Sequence, residues 1–103
     1  HAVEIKNSVV MADASVAHLS YVGDSVLGRG VNLGAGTNVA NLRHDGEPVE
    51  LSVKGERIST GRRKFGTVLG PGVTTGIQTA INAGVTLGAG VGTTPGDIVV
   101  RDR

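Results

Sequence analysis

The chain contains no cysteine and no tryptophan, and Tyr21, Phe65 and Met11 are the sole tyrosine, phenylalanine and methionine among its 103 residues. Without cysteine there is no disulfide, no thiolate nucleophile and no zinc-cysteine site, which suits a cytoplasmic protein. With so few large side chains, a chain of one-domain length cannot fill a thick globular core. It should bury small side chains in a thin, regularly stacked one. An excess of one charge is also lacking: ten basic residues face nine acidic ones, for a formal net charge of +1. That balance argues against a nucleic-acid partner. No apolar run approaches the ~20 residues that span a membrane, and no basic-then-apolar leader opens the chain. Neither a membrane nor a nucleic acid is expected as a partner, and no metal site is expected.

What is abundant is glycine, with 17 residues. It does not fall at every third place, as collagen requires, and the many valines, leucines and isoleucines argue against disorder. Aliphatic residues recur every six positions at Val10, Val16 and Val22, then after one step of five at Leu27, Leu33 and Val39. The same spacing returns at Leu69, Thr75, Ile81, Leu87, Thr93 and Val99. A tiny residue follows most of these starts, among them Ala17, Gly23, Gly28, Gly34, Ala40, Gly70, Gly76 and Gly88. Four residues past each start comes another small or β-branched side chain: Ser20, Val26, Val31, Thr37, Val73, Thr79, Val85 or Val91.

A period of six is neither the 3.6 of a helix nor the simple alternation of a strand. It predicts a hexapeptide β-solenoid, in which each hexapeptide supplies one short strand and a corner, and three make a triangular coil. The twelve starts make about four coils. Each stacked valine or leucine contributes ~1.5 to 3 kcal/mol by burial, so the core is a sum of similar layers. A helical reading fails, because glycine and β-branched residues are too frequent. His1 to Val9 read as the tail of an earlier coil. With the abrupt ending at Arg101-Asp102-Arg103, this suggests that the single domain over residues 1–103 is a C-terminal piece of something longer.

Between about 41 and 68 the repeat breaks. Asp45-Gly46 makes a turn, and Val49, Leu51, Val53 and then Arg57-Ile58 alternate around Lys54-Gly55, as in a β-hairpin. Arg62-Arg63-Lys64 follows as a basic cluster, which could hold a phosphate or could be a solvated charged loop. A long excursion from a rigid scaffold is a usual place for function.

His18 lies two residues past a repeat start, at the rim of a coil, where a side chain can point outward. Ser20, Tyr21, Asp24 and Asn32 occupy nearby positions of adjacent repeats. A neutral imidazole there could take a proton from an amine or hydroxyl, and the spacing equally leaves open a surface histidine without a role. Lys6 is a second candidate for holding a phosphate. Gly34-Ala35-Gly36 is phosphate-friendly in composition, but no helix follows, so it reads as coil geometry. His1 and His44 are assigned nothing.

His18-Leu19-Ser20-Tyr21-Val22-Gly23-Asp24 and Val31-Asn32-Leu33-Gly34-Ala35-Gly36-Thr37, with Asn41 soon after, resemble the acetyltransferase domain of a bifunctional family. Its members are glucosamine-1-phosphate N-acetyltransferases and N-acetylglucosamine-1-phosphate uridylyltransferases. Asn41-Leu42-Arg43-His44-Asp45-Gly46 and Thr60-Gly61-Arg62-Arg63-Lys64 look like the archaeal sugar-1-phosphate nucleotidylyltransferase version. The resemblance implies a left-handed β-helix that forms a homotrimer and transfers acetyl from acetyl-CoA to an amino-sugar 1-phosphate, in UDP-N-acetylglucosamine biosynthesis. It makes His18 the general base, puts Tyr21 and Asn32 on the sugar and Lys6 on the phosphate, and sets Ala35 and Asn41 near the acetyl-CoA. The N-terminal nucleotidyltransferase domain of that family is not in this chain. A second function stands beside the first: a non-catalytic, trimerising and regulatory β-helix of a sugar-1-phosphate nucleotidylyltransferase.

Overall fold

The computed structural model describes residues 3–103; His1, which was assigned no role, lies outside the described residues. Among the described residues there is no helix. Seven short strands precede the excursion: β1 (Glu4–Lys6), β2 (Val9–Val10), β3 (Ser15–Val16), β4 (Tyr21–Gly23), β5 (Val26–Leu27), β6 (Asn32–Leu33) and β7 (Asn38–Val39). The excursion carries β8 (Glu50–Val53) and β9 (Glu56–Ser59), and five more strands follow it: β10 (Val68–Leu69), β11 (Thr74–Thr75), β12 (Ala80–Ile81), β13 (Thr86–Leu87) and β14 (Ile98–Val99).

The strands stack in parallel on three faces of a β-helix, as the expected left-handed β-helix requires. The first face runs β1-β4-β7-β12-β14, the second β2-β5-β10-β13 and the third β3-β6-β11. The register joins like positions of successive repeats: Val10 to Leu27 to Leu69 to Leu87, and Val16 to Leu33 to Thr75. These starts line the interior, where Val22, Leu27, Leu33, Leu87 and Val99 have no solvent exposure.

A second interior row lies two residues before each start and holds Ser20, Val31, Thr37, Thr67, Val73, Thr79 and Val85. The sequence reading placed Val26 in this row, and the structure corrects it. The five-residue step from Val22 to Leu27 puts Ser25 there, 2% exposed, and leaves Val26 only half-buried. Ser25 is accommodated because its hydroxyl donates to the Gly23 carbonyl at 2.8 Å and accepts from the Thr67 N–H at 3.0 Å. Threonine at two starts is satisfied in the same way: the Thr37 and Thr75 hydroxyls meet at 2.8 Å, as do those of Thr79 and Thr93. Among the described residues no buried side-chain nitrogen or oxygen lacks a partner, so the threonines bring no desolvation penalty.

The tiny residue after a start has a specific reason. A Cβ on Gly34 would lie 2.7 Å from the Thr75 carbonyl oxygen, and one on Gly28 would lie 2.8 Å from the Pro71 nitrogen. At these two corners the next coil stacks too closely to leave room for a side chain.

The excursion leaves and returns at one corner, where the Phe65 N–H donates to the Asn41 carbonyl at 2.9 Å and Leu42 bridges Lys64 in antiparallel fashion. Its hairpin turns on Lys54 and Gly55, both with positive φ (50° and 82°), as a two-residue turn of right-handed strand twist demands. Val49, 1% exposed, anchors the hairpin's base.

The last coil is closed by Arg103, whose guanidinium grips both oxygens of Asp97 at 2.8 and 3.2 Å. That hydrogen bond, against a smaller desolvation effect, holds the Asp97 carboxyl below the usual carboxylate range and raises Arg103. The stabilisation is present while Asp97 is charged and is lost as the pH falls through its lowered value. Asp97→Asn should therefore lower the thermal midpoint near neutral pH and change it little at the acid end. An equal difference at both ends would remove this pair from the acid dependence.

Candidate active site at a corner of the coil

The corner between the third and first faces is built by four stacked pairs: His18-Leu19, Ala35-Gly36, Ile77-Gln78 and Pro95-Gly96. Rungs join them, with Gly36 N–H donating to the His18 carbonyl (3.0 Å), Gln78 N–H to Ala35 (2.8 Å) and Gly96 N–H to Ile77 (2.9 Å). The second residue of each pair has positive φ: 62° at Leu19, 74° at Gly36, 58° at Gln78 and 75° at Gly96. This tight turn leaves His18 exposed at the rim. Leu19 is the one apolar residue among the six described non-glycine residues with positive φ, and a left-handed conformation costs an ordinary side chain ~1 to 2 kcal/mol. Leu19→Gly should thus raise stability by up to about 1 kcal/mol, measured by chemical unfolding; a loss would show that the exposed leucine packs usefully.

Beside this corner, a groove on the first face is lined by Val3, Glu4, Leu19, Ser20, Tyr21 and Asn38. Its wall is a column in register, since Glu4 pairs with Tyr21 and Tyr21 with Asn38. Tyr21 and Asn38 each stand one place before a buried start (Val22, Val39), so their part of the column was available from the period of six, although Asn38 was not singled out; Glu4 precedes the exposed Ile5.

At the other end of the same strand, β4, lies a polar cluster. The Asn41 amide nitrogen donates to the Tyr21 hydroxyl at 3.0 Å and to Asp24 Oδ2 at 2.9 Å. Arg62 donates to Asp24 Oδ1 at 3.2 Å. Asp24 is 5% exposed and sits in a left-handed corner (φ 52°) that aspartate tolerates well. Its importance was missed: the bond to Arg62 spans 38 positions, and nothing in the spacing announces it.

The structure places the candidate residues as follows. Tyr21 and Asn41 are hydrogen-bonded, and Ala35 sits on the rung next to His18. Lys6 shares the first face with Tyr21, opposite Gly23, and forms an exposed ion pair with Glu4 at 3.4 Å. Asn32 is exposed on the third face, between Ser15 and Thr74, so the His18 corner separates it from Tyr21. Two residues assigned to the surroundings of His18 need correction. Ser20 belongs to the interior row, 3% exposed, and Asp24 stands at the opposite end of β4.

Arg62, Arg63 and Lys64 do not converge. Arg62 turns to Asp24, Arg63 Nε donates to the Gly46 carbonyl at 3.0 Å, and Lys64 pairs through its backbone with Leu42. In the first turn of the excursion the Glu47 N–H, and after it the Arg43 guanidinium, hold the Asp45 carboxyl below its usual value. His44 lies at the tip of that turn, along a cleft that Asn82 and Ala83 close.

A three-faced coil of hexapeptides, with an outward histidine at one corner and a hairpin thrown from another, is a hexapeptide-repeat β-helix protein. No family model matches the chain. It is 53% identical over 100 residues to the bifunctional sugar-1-phosphate nucleotidylyltransferase/acetyltransferase of Sulfurisphaera tokodaii, covering 97% of this chain and 25% of that protein. To the bifunctional protein GlmU of Methanococcus vannielii it is 49% identical over 86 residues, 84% of this chain and 20% of that one. Among solved structures, serine acetyltransferase isoform 3 from Entamoeba histolytica, in complex with cysteine, aligns with 95% of this chain and 32% of its own, at 13% identity and a TM-score of 0.34; nothing below rests on that likeness. The chain is thus similar, over nearly its whole length, to the C-terminal region of bifunctional sugar-1-phosphate nucleotidylyltransferase/acetyltransferases. It spans a fifth to a quarter of the length of the curated relatives it matches.

Proposed function

We propose that this chain transfers an acetyl group from acetyl-CoA to the amine of an amino-sugar 1-phosphate, with glucosamine 1-phosphate the first candidate, toward UDP-N-acetylglucosamine. The observation that carries the reading is the exposed imidazole of His18 at a rim beside the groove that Tyr21 lines. As the amine nitrogen attacks the thioester carbonyl, the carbon–nitrogen bond forms and the carbon–sulfur bond breaks. The amine proton passes to the neutral imidazole of His18 and from there to the departing thiolate. Tyr21 and Asn32 hold the sugar, Lys6 holds the phosphate, and Ala35 and Asn41 lie against the acetyl-CoA.

Tyr21 and Asn32 flank the corner on different faces, so one prism does not enclose both. A convex prism has no deep cleft, and a second copy standing against the corner would supply the missing wall, which supports a homotrimer. Nucleotidyl transfer, the other activity named in the relatives, is assigned to a domain outside this chain.

The test is free-thiol release from acetyl-CoA with glucosamine 1-phosphate and galactosamine 1-phosphate, using glucose 1-phosphate as the amine-free control. Release that requires the amine supports the reading. No release above the uncatalysed rate with either amino sugar overturns it, in favour of a non-catalytic β-helix.

A further inference from the structure

We propose that Arg62, on the returning arm of the excursion, is a positioning residue for the acceptor half of the site, fixing the Tyr21 hydroxyl through Asp24 and Asn41. The inference rests on the functional reading above for the role of Tyr21, and on the hydrogen-bond geometry for everything else.

The chain of contacts starts with a carboxylate that must be partnered. The side chain of Asp24 is 3% exposed, while that of Arg62 is 55% exposed and reaches in from solvent. A buried carboxylate without donors is costly, and Asp24 has two: Arg62 on Oδ1 and Asn41 on Oδ2. A side-chain amide carries two N–H groups. With one held by Asp24, the amide plane of Asn41 is set and the second N–H is aimed at the phenol oxygen of Tyr21, 3.0 Å away. The phenol accepts in that bond, so its own proton is left to be donated elsewhere; the hydroxyl lies over Gly23, the residue that Lys6 pairs with, at the end of β4 away from the His18 corner. Tyr21 is thereby presented as a donor to an oxygen of the bound sugar.

Removing Arg62 frees Asp24 to draw the Asn41 amide fully to itself or to admit water, and the phenol then loses its fixed orientation. The excursion, otherwise a hairpin hung outside the prism, thus contributes to the site by one guanidinium.

Tyr21 is the sole tyrosine and the chain has no tryptophan, so ring resonances of isotope-labelled tyrosine report on this residue alone. The experiment compares the wild-type chain with Arg62→Gln, Arg62→Lys and Arg57→Gln. The last removes the same charge from β9, where Arg57 faces Glu50 at 3.7 Å. Arg62→Gln should move the tyrosine ring resonances and raise the KM for glucosamine 1-phosphate about tenfold, roughly one well-placed hydrogen bond. Arg62→Lys should recover part of the loss, and Arg57→Gln should change neither readout. Ring resonances at their wild-type positions in Arg62→Gln, or moved equally by Arg57→Gln, overturn the proposal. If the wild-type chain releases no thiol, the functional reading falls, and the resonances alone decide whether Arg62 positions Tyr21.

Discussion

Replacing His18 with alanine is expected to lower thiol release about 10²- to 10⁴-fold, the usual contribution of a positioned general base. The effect should fall on kcat more than on either KM, because the proton leaves the amine only as the carbon–nitrogen bond forms. The structure predicts little collateral damage. The backbone carbonyl of His18 accepts the rung from Gly36, and alanine keeps that carbonyl. The imidazole itself is exposed, and exposed substitutions usually change stability by less than about 0.5 kcal/mol. Thiol release and the unfolding midpoint, measured on the same sample, check this. An unchanged rate would return His18 to the class of surface histidines.

The second large effect concerns the stack. Leu33 has no solvent exposure and stands between Val16 and Thr75 in the interior. Truncation to alanine opens a void that backbone rungs on both sides keep from collapsing, so Leu33→Ala should cost about 3 kcal/mol, within the 2 to 5 usual for buried leucine. Val10 occupies the equivalent position on the second face but is 41% exposed. Val10→Ala should cost only about 1 kcal/mol, as much of its surface stays in solvent and fewer buried carbons are removed. Chemical denaturation of the pair tests whether coils contribute according to how completely their neighbours cover them. Equal losses would mean that the prism does not act as a sum of layers.

The faces of the prism were legible because the period of six assigns every residue a direction: Leu27, Leu69 and Leu87 stack as their spacing requires. The hairpin was legible from Lys54-Gly55 between two β-prone runs. Two things were not. Ser25 replaces Val26 inside because a step of five shifts the phase at one corner, and a shift by one residue reverses inside and outside. The Asp24–Arg62 bond depends on where the excursion returns, which is decided by contacts across the closure, Phe65 to Asn41, Lys64 to Leu42 and Gly66 to Asp24. For the candidate site, the sequence placed His18 at a rim but gave no sign that Tyr21 and Asn32 flank its corner from different faces.

The same closure has a further consequence. Because Asn41 and Phe65 meet across a single hydrogen bond, the strands on either side are joined as though the intervening segment were a short turn. Loop-closure entropy grows slowly with length, so the graft point should tolerate exchange of its cargo. A different segment grafted there should leave the scaffold's shape intact.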